Sequence, residues 1–283
     1  MPPTIQRSRT QFSASFMRHG GVIMDDHTRV RTMVKWTAGA LGIAAGAYGD
    51  YVGLTWLRYG HPAPASPDEA DALLDRFMPV HDIAERHHIE VAAPPDITFA
   101  AACELDLMAL PVARSIFKAR EVLLGSEADS AAHPRGLLAM TKSIGWGVLA
   151  EVTGREIVMG AVTQPWRANV VFRPLPPGEF SAFKEPDYVK VVWTLRADPA
   201  GTSRSIFRTE TRAVATDATA RAKFRRYWSF LSPGIILIRW AALCPLKREA
   251  ERRAGGARLI DARSLVIKQA RDARTSKSDL VAR

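Results

Sequence analysis

Cysteine is almost missing from this 283-residue chain, which has only Cys103 and Cys244. Two thiols close one bridge at most, and no Cys/His spacing of a zinc or redox centre surrounds them. They read as buried free thiols, with a Cys103–Cys244 bridge as the alternative in an oxidising compartment. Also absent are a phosphate-cradling glycine loop, a dinucleotide fingerprint and a Ser-His-Asp order. Gly20-Gly21 and Gly255-Gly256 stand isolated in basic segments. No cofactor and no metal is therefore expected. His81, His87 and His88 do cluster near Asp82 and Glu90. Neighbours on a strand point to opposite faces, however, so His87 and His88 cannot readily share an ion. All three read as solvated strand-end histidines.

Excess charge is missing from the middle of the chain. The net charge is +10, but 1–35 carries six Lys or Arg against two acids, and 247–283 carries eleven against five. Between them, 22 basic residues balance 22 acidic ones. A near-neutral core disfavours a nucleic-acid footprint.

Charge is scarcest in Trp36–Leu57, where Asp50 is the only charged residue. About 20 mostly apolar residues span a bilayer, so 36–57 is expected to be an N-terminal transmembrane helix with Asp50 near an interface. Tyr48, Tyr51 and Trp56 would be its interfacial aromatics. Arg29, Arg31 and Lys35 precede it, and the positive-inside rule keeps that end cytoplasmic. The expected product is a single-pass membrane protein whose folded domain is extracytoplasmic. A signal peptide cleaved at Ala45-Gly46-Ala47 and a plain amphipathic helix are the alternatives. The resulting division is a basic flexible N-terminus (1–35), the spanning helix (36–57), a linker (58–84), a folded domain (85–252) and a basic tail (253–283).

The folded part is richest in pattern between Tyr188 and Arg248. Val189–Arg196 and Ser203–Thr216 each alternate, and Pro199 and Gly201 lie between them, which reads as a hairpin. On the second strand Phe207, Thr209 and Thr211 share the milder face, and Arg208, Glu210 and Arg212 the charged one. The first set is expected to look inward and the second to form an exposed ladder of charge pairs on the outer face. Thr216 or Asp217 then caps a helix with Phe224, Tyr227, Trp228 and Leu231 on one stripe. Pro233-Gly234 is expected to kink or break that helix before the second apolar run, Ile235–Leu243.

These residues, Thr209-Glu210-Thr211-Arg212, Ala215-Thr216-Asp217, Arg221–Trp228, Pro233-Gly234 and Leu237-Ile238-Arg239, resemble the C-terminal half of bacterial SRPBCC proteins. That superfamily includes START lipid-transfer domains, polyketide cyclases and Bet v 1 allergens. The resemblance extends more weakly over 85–252. It implies an α+β helix-grip fold: a curved antiparallel sheet around a long C-terminal helix, with a cavity between.

The remaining pattern follows the order that fold requires. Arg86–Ala93 alternates as a first strand, and Asp96–Leu107 and a run from Pro111 to Leu123 read as two helices before a polar loop at 125–136. Trp146–Val152 and Glu156–Val162 flank Thr153-Gly154 as a strand pair, Asn169–Arg173 begins another strand, and Glu179–Phe183 is a single helical turn.

Cavity lining is expected from Trp146, Val148, Met159, Phe172 and Trp193 on the early strands. Phe207, Thr209 and Thr211 should add to it from the last strand, and Tyr227, Trp228 and Leu231 from the helix. An apolar wall with a few hydroxyls suits a hydrophobic small molecule or lipid. The expected activity is therefore membrane-anchored binding or transfer of such a molecule. A polyketide cyclase or dehydrase-like enzyme is the alternative, with Tyr227 or Glu151 moving a proton, although Glu151 reads better as a surface carboxylate. An interaction protein using its basic tail is the third reading.

Overall fold

The computed structural model of the chain describes residues 26–126 and 133–281. Residues 1–25 of the expected basic N-terminus and 127–132 of the expected polar loop lie outside them. The chain divides at Asp50 into two units.

The first unit holds most of helix α1 (Asp26–Arg58). Trp36 and Ile43 on it are each 76% exposed. Gly39, Gly42, Gly46 and Gly49 and the charged Asp50 dilute its apolar content. Among the described residues, the helix long and apolar enough to cross a membrane, by length and composition, is the C-terminal one over Ala218–Ile260; α1 does not reach that standard. The structure therefore gives no support to a spanning helix at 36–57; those residues lie within a longer helix of modest hydropathy.

The second unit begins at Tyr51. Its first surprise is the stretch read as a linker, 58–84, which is packed. Helix α2 (Ala72–Asp75) is a short turn capped by Asp71, whose carboxylate accepts from the Leu74 amide at 2.8 Å. Leu74, Phe77 and Met78 are buried with Val158, Val162 and Val192. The polar run before them hid an apolar group that must leave water. Asp82 ties this segment to distant parts of the chain: it accepts from the Tyr59 hydroxyl (3.2 Å) and the Ala215 amide (3.1 Å), and pairs with Arg221 (3.0 Å).

Strand β1 (Ile83–Val91) follows, then helices α3 (Pro95–Glu104), α4 (Pro111–Leu124) and α5 (Leu137–Ser143). Proline opens α3 and α4, where its missing N–H costs no helical bond. The rest of the sheet is β2 (Gly147–Val152), β3 (Glu156–Thr163) and β4 (Phe172–Arg173), then, beyond the short helix α6 (Pro177–Phe180), β5 (Val189–Pro199) and β6 (Ser205–Ala215). All pairings are antiparallel, in the order β1-β6-β5-β3-β2 with β4 also on β3.

Helix α7 (Ala218–Val281) closes the chain. Asp217 begins it by accepting from the Ala220 amide at 2.8 Å. Phe224, Trp228, Leu243, Leu246, Ala250 and Ala254 are buried, so the gripping face runs past the expected domain end at 252. No break interrupts α7 at Pro233, which lies inside one continuous helix. Gly234 has another role there: a Cβ would lie 2.9 Å from Ile116 Cγ2, so the glycine admits α4 close to α7. An antiparallel sheet gripped by a long C-terminal helix fits the α+β helix-grip fold. The thiols are both free, but Cys244 is exposed and Cys103 half-buried, which corrects the expectation that both are buried.

Candidate ligand-binding cavity

Because side chains alternate along a strand, β6 turns Phe207, Thr209, Thr211 and Ala213 toward α7 and Arg208, Glu210 and Arg212 away from it. On β1 the same alternation puts Ile83, Glu85 and His87 on the inner face. Between this face and α7, with α4 and α5 closing the side, lies a cavity of about 340 Å³. That volume falls within the range of small-molecule sites.

Of the eleven residues expected to line it, Trp146, Phe172, Trp193, Phe207, Thr209, Thr211, Tyr227 and Trp228 border the cavity. The other three do not. Met159 is wholly buried in the core cluster that contains Trp193, and Val148 packs against that cluster. Leu231 is half-buried on α7 but does not reach the lining. The aromatic wall is built by contact: Trp146 lies 5.0 Å from Phe172 and 6.1 Å from Trp193, centroid to centroid. Gly145 aims Trp146. Its φ is +103°, and a Cβ there would meet the Phe172 carbonyl oxygen, so both backbone shape and space demand glycine.

The sequence reading missed α5, which supplies Leu137, Met140 and Thr141, and it assigned Arg239 no place in the cavity. The signal for Arg239 was present: it stands four residues after Ile235 and eleven after Trp228, on the same helical stripe. Its guanidinium enters an otherwise apolar wall and donates to the hydroxyls of Thr209, at 3.4 Å, and Thr211. Among the described residues Arg239 has no carboxylate within ion-pair distance. Burial lowers its pKa to about 10, against the opposing pull of Glu85 and Glu210, so it keeps its charge at neutral pH.

Glu85 and His87 lie on the same face of the sheet without bordering the cavity, opposite Thr211 and Thr209 in the β1–β6 register. Burial pushes the Glu85 carboxyl upward while Arg239 pulls it back. His87 is not a solvated strand-end residue, as expected, but is buried edge-on to Trp240, with ring centroids 5.8 Å apart. Burial, then Arg239 and His88, lower its pKa to about 4, so the ring is neutral at pH 7. Its Nε2 is buried without a hydrogen-bond partner. His88, on the opposite face, is exposed. Among the described residues no group of three or more His, Cys, Asp or Glu could hold a metal. Glu151 is exposed near the end of β2, so of the two suspected proton carriers only Tyr227 borders the cavity.

The outer face corrects a second expectation. Glu210 and Arg212 do point away from the cavity, but they are buried, 5% and 3% exposed, beneath the 59–82 segment. Arg212 pairs with Glu210 at 2.7 Å and also with Asp75, and Arg86 joins Glu210 at 3.0 Å.

No protein-family model matches the chain, and no curated protein matches it. Among solved structures, a hypothetical protein of Helicobacter pylori is similar over 66% of this chain and 99% of its own, at 8% identity and a TM-score of 0.32. Norcoclaurine synthase of Thalictrum flavum matches over 60% of this chain and 94% of its own, at 9% identity and a TM-score of 0.28. An aromatase/cyclase of Streptomyces sp. R1128 matches over 60% and 94%, at 16% identity and a TM-score of 0.25.

Proposed function

We propose that this protein binds or carries a hydrophobic small molecule or lipid in the cavity between the sheet and α7. The observation that carries this reading is the cavity itself, about 340 Å³ with a largely aromatic and aliphatic lining. A void of that size is costly to keep empty, since each lining side chain forfeits contacts that a ligand would restore. Native mass spectrometry of the purified full chain tests it. A copurified apolar molecule, displaced by excess decanoate or decan-1-ol, is the expected result. Absence of bound mass, together with no uptake of either probe, would overturn the reading.

The same proposal places the protein at a membrane through α1, with the folded domain on the extracytoplasmic side. The support is the scarcity of charge across 36–57, the basic residues ahead of it, and the exposure of Trp36, Ile43, Leu54 and Leu57. Fractionation of C-terminally tagged protein checks attachment, and a full-length product in the soluble fraction counts against it. Protease protection in intact cells checks the side.

A further inference from the structure

We propose that the cavity is specific for amphipathic anions, an apolar body ending in a carboxylate, and that Arg239 is the residue that binds the acidic head. The inference rests on the cavity-binding reading above and narrows it to a substrate class.

The argument starts from what surrounds the guanidinium. Among the described residues that border the cavity, Arg239 is the only charged one. Its described hydrogen bonds go to the Thr209 and Thr211 hydroxyls, which are neutral acceptors. A guanidinium has five N–H donors in a planar fork that matches a carboxylate bidentately, so two threonines leave donors over. Placing an unpaired cation in an apolar wall is unfavourable unless a partner compensates it. Nearby carboxylates do not supply that partner at contact distance: among the described residues Glu85, beside Thr211 on the inner face, acts on the guanidinium only from beyond ion-pair distance, and Glu210 lies on the other face of the sheet, committed to Arg86 and Arg212.

The chain has the means to pair arginines where stability alone is at stake, as the outer face shows. Leaving one uncompensated inside a cavity large enough for a ligand points to a counterion that arrives with the ligand. Thr209 and Thr211 then act as positioning residues, holding the fork from the strand side. The aromatic rings of Trp146, Phe172 and Trp193 take the apolar body.

The test titrates the full-length protein with three ten-carbon probes, decanoate, decan-1-ol and decylammonium, and follows tryptophan fluorescence. Wild-type protein is expected to bind decanoate about 10- to 100-fold more tightly than decan-1-ol, the range of one charge-assisted hydrogen-bonded contact, with decylammonium weakest. Arg239→Met should bring decanoate to parity with decan-1-ol. Arg239→Lys should recover part of the preference. Equal wild-type affinity for decanoate and decan-1-ol would overturn the anion specificity and leave the cavity reading standing. A carboxylate preference that survives Arg239→Met would overturn the assignment to Arg239. Failure of wild-type protein to bind any of the three would overturn the cavity reading together with this inference. The wild-type comparison needs no variant, so a poorly folding Arg239→Met cannot make the result uninformative.

Discussion

On the outer face of the sheet, Arg86 pairs with Glu210 at 3.0 Å, Arg196 and Arg208 share Asp198 at 3.0 and 3.1 Å, and Arg212 meets Glu210 and Asp75. On the inner face Arg239 meets two hydroxyls. The strands are the same; the covering differs. The outer face lies under a packed segment that excludes other partners, so its charges must be balanced internally. The inner face borders open volume, where a charge can be balanced from outside the chain.

Several changes would break or sharpen this contrast. The largest effect is expected from Glu210→Ala, which removes the carboxylate paired with Arg86 and leaves Arg212 with Asp75 alone. Removing one member of a buried pair costs about 3–5 kcal/mol, measurable by urea unfolding. Gly145→Ala, on the inner rim, should cost about 1–3 kcal/mol through its left-handed backbone and should also disturb Trp146 fluorescence. Arg239→Met should cost the empty protein less than about 1 kcal/mol, because no ion pair is broken. A loss as large as that of Glu210→Ala would erase the distinction between the faces.

A subtler effect concerns the outer face's surplus acid. Glu156 is buried beside Asp71, and one of its oxygens has no partner. Burial and the Asp71 charge push its pKa well above the ordinary carboxylate range. A folded-state pKa raised above the unfolded value means stability is full below the unfolded value and declines as pH rises toward the folded one. Wild-type protein should therefore lose stability above the ordinary carboxylate range, by at most about 1.4 kcal/mol per pH unit. Glu156→Gln should flatten that slope, and an unchanged slope would remove Glu156 as its source. The smallest effect is chemical: Cys244 is exposed, whereas burial raises Cys103 to about 11. One thiol should react quickly with an aromatic disulfide in native protein and the other only on unfolding.

Much of this was legible beforehand because period-two alternation is local. The direction of Thr209 and Thr211 against Glu210 and Arg212 follows from neighbouring residues alone, as does the aromatic stripe of α7. What escaped depended on distant segments. Nothing near Arg212 reveals that residues 59–82 fold back over it, so a ladder expected in water is buried. Pro233 was expected to kink or break a helix that runs on past it without a break. Arg239 escaped for a different reason: a single cation in an apolar helical run has the same local pattern whether it reaches solvent or turns inward.

The Asp82 carboxylate has a consequence for how the second unit opens. It joins Tyr59 from before the sheet, Ala215 from the end of the last strand and Arg221 from the first turns of α7. Three stretches far apart in sequence are thereby fastened at one point, with the Gly60 amide donating a further hydrogen bond to the Asp82 carbonyl at 2.9 Å. None can detach without loosening the others. Under conditions of slow amide hydrogen exchange, the Gly60 and Ala215 protons should be released together, as one cooperative event, even though 155 positions of chain separate them.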